Sequence, residues 1–214
     1  MMKRRGQNPG RADSLRGLLQ MRQLKASFLS LIIAACCGVA NSQTPIDVEH
    51  SKIRIHVGKA GLFSAAGHEH WVDAPIAEGT LQENPPQISF RVEAAKMKVE
   101  EDPSLSADKQ AEVQRTMLTQ VLESDRYFEI SFRSTSIQET GPNTWEAHGD
   151  LTLHGQTQPA AAKVEKQKAG YVGRCQLKQT DFGIHPIRVA GGTVKVKDQL
   201  DIEFSIVPAG TNSR

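Results

Sequence analysis

From residue 45 onward apolar and polar side chains alternate in short runs, and in most of them the period is two. The clearest run is Trp145 to Pro159, W-E-A-H-G-D-L-T-L-H-G-Q-T-Q-P. In an extended strand it puts Trp145, Ala147, Leu151 and Leu153 on one face, and Glu146, His148, Asp150, Thr152 and His154 on the other. A strand with one dry and one wet face belongs to an antiparallel sheet that covers something apolar on one side. Gly155 permits the backbone of a tight turn. Pro159 cannot donate to a ladder from inside a central strand, so the next strand is expected to begin near it.

The same grammar runs through the rest. Ile46 to Val57 reads as a first strand, with Ile53, Ile55 and Val57 opposite Lys52, Arg54 and His56, followed by a glycine-punctuated connection from Gly58 to Gly67. Leu62 and Phe63 in that connection are expected to cap or gate one end of the core. His68 to Leu81 predicts a second strand broken near Pro75. Gln87 to Ala94, with Ile88, Phe90, Val92 and Ala94 on one face, predicts a third. From Ser106 to Ser124 the period changes: Val113, Met117, Val121 and Leu122 recur at helical spacing behind the cap signals Ser104 and Ser106. The apolar stripe is narrow, so this helix should lie across a sheet surface or a barrel opening. Tyr127 to Ser134, Ala160 to Glu165, Gly170 to Lys178 and Thr193 to Val207 return to period two, for about eight strands and one helix. The expected fold is all-β, an antiparallel barrel whose closure removes exposed edges.

The first forty residues are different. Seven basic side chains between Lys3 and Lys25 precede the apolar run Ala26 to Ala40, which is too short to span a membrane as an ordinary helix and ends in small residues. This is the pattern of a secretory signal, with Met21 as a second candidate start and cleavage expected after Ala40. The rival is Ile33-Ala34-Ala35-Cys36, which resembles a lipoprotein lipobox and would leave a lipidated Cys36. The expected domains are therefore a leader, 1–40, and a single barrel domain, 41–214. Without the leader, 19 basic residues face 23 acidic ones, out of 26 and 24 in the whole chain. A mildly acidic domain does not suit a phosphate backbone, so nucleic acid is excluded as a partner. Cleavage after Ala40 leaves only Cys175, so no intramolecular disulfide is expected.

Motifs of catalysis are missing: there is no G-x-S-x-G, no cysteine with an evident histidine, no phosphate loop. Asp181-Phe182-Gly183 lacks every other kinase signature, and Glu100-Glu101 reads as a solvated acidic patch. His68-Glu69-His70 could chelate, but two ligands fall short of a structural metal site, and His148 and His154 occupy wet positions. The expectation is a non-enzyme without cofactor or metal. The apolar faces remain. A barrel of this size is either filled by its own side chains or holds one small ligand, and the small aromatic share, 5%, with frequent Ala and Gly, leans toward the second.

Several stretches resemble the YceI-like family of bacterial periplasmic lipid-binding or polyisoprenoid-binding proteins: I-D-V-E-H-S-K-I-R-I-H-V, V-L-E-S-D-R-Y-F-E-I-S-F-R-S, G-D-L-T-L-H-G-Q-T-Q-P, T-D-F-G-I and V-K-D-Q-L-D-I-E-F, between about residues 45 and 207. The resemblance implies a lipocalin-like barrel around a long apolar pore for an isoprenoid or similar lipid. The candidate ligand-contacting residues are Ile53, Ile55, Val57, Ile88, Phe90, Val92, Ile130, Phe132, Leu151, Leu153, Ile202 and Phe204, with Phe63 at the mouth and Phe182 in the D-F-G-I turn. Membrane contact is expected to be transient unless Cys36 is lipidated, and a homodimer is left open. A self-filled barrel serving interaction, or a metal- or redox-linked accessory protein using His68 and His70, are the alternatives. Phe128 stands where the family usually has proline, and the segments around His68–Trp71 and Ile187–Gly192 depart from its usual pattern.

Overall fold

The computed structural model describes residues 42–60, 69–189 and 194–210. Phe63, Leu62 and His68 fall outside these, as does the leader. The described chain forms twelve strands in one antiparallel sheet: β1 (Thr44–Pro45), β2 (Lys52–Ala60), β3 (His70–Asp73), β4 (Ile76–Glu83), β5 (Pro86–Glu93), β6 (Lys98–Val99), β7 (Glu129–Gly141), β8 (Thr144–Leu153), β9 (Gln156–Gln167), β10 (Gly170–Lys178), β11 (Arg188–Val189) and β12 (Val194–Ile206). Eight of them have eight or more residues, the number that alternation predicts; the other four, of two to four residues, are too short to show a period.

Their order is β1-β4-β5-β7-β8-β9-β10-β12-β2-β3-β6, with β11 on β12. The sheet closes through the run that the sequence marks as broken at Pro75. Its first half, β3, pairs with β2, and its second half, β4, pairs with β5, so the two sides of the curled sheet meet on one stretch of chain, with β6 added beyond β3 and β1 beyond β4. Ala74 carries the ladder through the break by donating to the Ile53 carbonyl at 2.9 Å. Lower down, Ile46 donates to Gly79 in β4 and Asp47 to Val207 beyond β12, which stitches the same seam.

Three expectations need correction. Residues 46–50 are not strand: Asp47 accepts the backbone amides of Glu49 and His50 through Oδ1 and pairs with the His50 ring through Oδ2, a local side-chain turn that outcompetes the ladder. Gly58 is in β2, which runs on to Ala60. Pro159 lies inside β9, opposite Asp150, because β10 pairs only with residues 163–167; at Pro159 the side away from β8 has no strand to supply. The β8–β9 turn is His154-Gly155, both at positive φ (52° and 71°), the two-residue hairpin geometry that glycine favours. This also corrects His154: it is in the turn, not on the wet face, and its ring packs 4.1 Å from that of Tyr127.

The helix α1 (Ala107–Thr116) is capped by the Ser106 hydroxyl, which accepts the Lys109 amide, and it widens into a π-type turn over Met117–Val121. Two glutamines fasten it. Gln114 accepts from Val99 N at 2.8 Å and donates to Met97 O at 2.9 Å; Gln110 donates to Glu100 O at 2.9 Å. No helix among the described residues is long and apolar enough to cross a membrane.

Candidate functional site

Alternation turns one side chain in two toward the inside of the curled sheet. On β2 these are Ile53, Ile55 and Val57; on β5 Ile88, Phe90 and Val92; on β7 Ile130 and Phe132; on β8 Leu151 and Leu153; on β12 Ile202 and Phe204. They line a single cavity of about 1470 Å³. Twelve of the fourteen residues singled out from the sequence therefore converge on one space. Phe182 does not: it is 2% exposed, packed in the core behind the wall. It is held in a 3-10 turn whose Thr180 donates its amide and hydroxyl to Asp198, and these two hydrogen bonds hold the Asp198 carboxyl below its ordinary value. Phe63 is among the residues not described.

The helix borders the cavity with Val113, Met117, Val121 and Leu122, the stripe that helical spacing marks. Elsewhere the sequence missed part of the lining. Met97 and Val99 lie in segments too short to carry a pattern, while Tyr171, Cys175 and Leu177 of β10 carry one diluted by Gly173. Small residues thin the wall: Ala147 and Gly149 of β8 face Ala162 and Ala160 of β9. Phe90 and Phe132, cross-strand partners with centroids 5.6 Å apart, lie side by side on it.

Polar groups gather at the two ends. Where β4, β9 and β10 meet, the Tyr171 hydroxyl donates to Glu83 at 2.8 Å and Lys166 reaches the same carboxylate at 3.4 Å. The Tyr171 hydrogen bond lowers the Glu83 pKa, and burial raises that of Tyr171. Lys59, His70, Lys109 and Glu112 line the helix end. Cys175 faces the lumen midway, and burial pushes its thiol up to about 11. Among the described residues no group of His, Cys, Asp and Glu is placed to hold a metal ion. His70 lies beside Val57 on the inner face, and His148 is on the outer face of β8.

At about 1470 Å³ the cavity exceeds the roughly 300–1,000 Å³ of ordinary small-molecule sites. It equals roughly fifty water molecules at about 30 Å³ each, with almost no polar partners for them along its middle. Fold and site together define an antiparallel β-barrel protein with an internal apolar cavity. The YceI-like domain profile matches residues 45–207, and the chain belongs to that family. A UPF0312 protein of Vibrio cholerae is 34% identical over 92 residues, 38% of this chain and 47% of that protein. One of Pseudomonas savastanoi pv. phaseolicola is 37% identical over 89 residues, 37% of this chain and 44% of its own. The matched stretch spans about half the length of these relatives. Two solved structures share the fold at a TM-score of 0.50: Burkholderia cenocepacia BcnA, 16% identical, covering 77% of this chain and 99% of that one, and a polyisoprenoid binding domain from Saccharophagus degradans, 9% identical, covering 76% and 95%.

Proposed function

We propose that this protein binds and carries a long apolar chain, a polyisoprenoid or related lipid, inside its barrel without transforming it. The observation that carries this reading is the apolar cavity itself, bordered by the helix at one end and by the Glu83–Tyr171 contact at the other. Cavity-forming substitutions cost about 24 cal/mol per Å³; at that scale a void of this size would outweigh the about 5–15 kcal/mol that holds a domain together. An interior shared with an apolar chain avoids that cost, which supports the carrier reading. A fold-sharing structure is a polyisoprenoid binding domain, and a chain of that class suits a long lumen. The polar lining groups sit apart at the two ends, an arrangement suited to holding a chain rather than to acid–base chemistry.

The leader pattern of residues 1–40 supports export to the periplasm as part of the same proposal. Native mass spectrometry of protein purified without detergent tests the carrier reading: adducts of one or a few defined apolar masses are expected. A bare chain that also takes up nothing from extracted bacterial lipid overturns it. N-terminal mass analysis of exported material should start close to Asn41; a diacylglyceryl-modified Cys36 would replace the soluble form by a lipoprotein.

A further inference from the structure

The wall of the barrel divides between β9 and β10. The two strands pair from Gln167 and Gly170 as far as Lys163 and Arg174, and beyond that point they part. Among the described residues, 156–162 of β9 have β8 on one side and no strand on the other, and 175–178 of β10 have β12 alone. The 3-10 turn Gln179–Phe182 stands in this fork, packed against both strands and β12. Its hydrogen bonds to other elements run to β12. Thr180 donates its amide and hydroxyl to Asp198 at 2.9 and 2.7 Å, and the Gln179 side-chain amide donates to the Lys197 carbonyl at 2.8 Å. The turn is therefore fastened to the β12 side of the fork and lies against β9 without joining its ladder.

The cavity reaches the fork. Ala160 and Ala162 line it from β9, and Cys175, Leu177 and Gln179 from the other side. Ala161 lines it too, although it lies opposite His148 on the outer face and is exposed. A residue of the outer face borders the lumen only where the lumen runs past the open edge of its strand. Pro159 on that edge has no N–H to offer an added strand, a device that keeps edges from pairing. An apolar chain needs no ladder, and the alanines leave it room. We propose that the fork between β9 and β10 is a lateral portal through which the apolar chain enters and leaves the lumen, with the turn Gln179–Phe182 setting its width. This rests on the carrier reading above and adds a route to it, one that displaces neither the helix nor the Glu83–Tyr171 contact.

Stopped-flow loading and release of a fluorescent polyene fatty acid by delipidated full-length protein tests the route. Ala161→Cys offers an exposed thiol at the edge of the fork. A mixed disulfide with glutathione places a bulky polar group there, and dithiothreitol removes it. The adduct should slow loading and release by about tenfold, keep Kd within about twofold, and lose its effect on reduction. The same adduct at Gln138→Cys, on the outer face of β7, should change neither rate, and wild type carried through the treatment controls for its own cysteines. Asp198→Ala, which frees Thr180, should speed both rates with Kd unchanged, while Asp198→Asn, which still accepts the Thr180 amide, should stay near the wild type. An Ala161 adduct that changes neither rate, or slows them no more than the Gln138 adduct does, overturns the portal and leaves the carrier intact. So does an Asp198→Ala variant that folds and exchanges the probe at the wild-type rate; if that variant does not fold, the Ala161 adduct decides alone. Failure of the wild type to bind the probe would sink the carrier reading and the portal with it.

Discussion

At Gly149 and Gly173 it is the missing side chain that shapes the interior. A Cβ at Gly149 would stand 2.5 Å from Phe132 Cζ, and one at Gly173 would stand 2.5 Å from the Lys163 carbonyl oxygen and against the Phe204 ring. Each phenylalanine thus lies over the neighbouring strand instead of standing in the lumen, an arrangement known to protect strand glycines. Gly149→Ala should cost about 1–3 kcal/mol, as overpacking does, and should lower bound lipid because the displaced ring has only the lumen to enter. Denaturant melts and ligand content by mass spectrometry check both; a variant that melts and loads like the wild type would contradict the arrangement. Cys175 reports on the same space. With its thiol near 11, only about one molecule in a thousand is thiolate at pH 8. Alkylation should be slow, rise about tenfold per pH unit below that value because the thiolate alone reacts, and slow further when the lumen is loaded. Labelling at the rate of an ordinary exposed cysteine, indifferent to lipid, would place the thiol outside the cavity.

The helix is an element held by side chains rather than by propensity. None of its residues is fully buried, and Gln114 alone satisfies one amide and one carbonyl of the segment leading to it. Gln114→Ala strands both groups, a cost of about 1–3 kcal/mol. It should raise hydrogen exchange in residues 107–121 and speed lipid release while exchange in β8 stays slow. Equal protection in both elements would mean that the helix is not a separately fastened cover. How legible such elements are in the sequence depends on how local their causes are. Strands of eight or more residues announce themselves by alternation, and the helix by its cap at Ser106. Residues 46–50 alternate too, but a side-chain turn at Asp47 takes them. Pro159 misleads because its tolerance depends on where β10 stops pairing, a fact of a distant segment. The same limit applies to the site. Alternation finds its apolar walls and helical spacing finds the stripe of the helix, but Met97 and Val99 lie in segments too short to show a period, and Phe182 looks like a lining residue until its turn buries it.

Closure is a property of the whole molecule, set where β3 and β4 share one run of chain between β2 and β5. It converts a dozen half-buried apolar faces into one enclosed surface, and whether that surface is matched by protein or by ligand decides how the barrel answers to damage. A prenyl or acyl chain enclosed along its length removes several hundred Å² from water, worth several kcal/mol at about 25 cal/mol per Å² before ordering costs. Phe90 faces that space from β5 and touches Phe132 across the ladder. In a core packed solid by its own side chains, Phe90→Ala would cost about 3–5 kcal/mol whatever was added. In a barrel whose interior is shared with a mobile chain, the same truncation only enlarges a cavity that the chain can reoccupy. The loss should then be smaller, and it should shrink further with lipid in excess, since a ligand that binds only the folded state stabilises it by about 2.7 kcal/mol at a hundredfold excess over Kd. Thermal melts of wild type and Phe90→Ala, each with and without extracted bacterial lipid, separate the two cases. Melts that ignore lipid in both proteins, together with the full penalty, would show that no chain shares the interior and that the cavity serves something other than carriage.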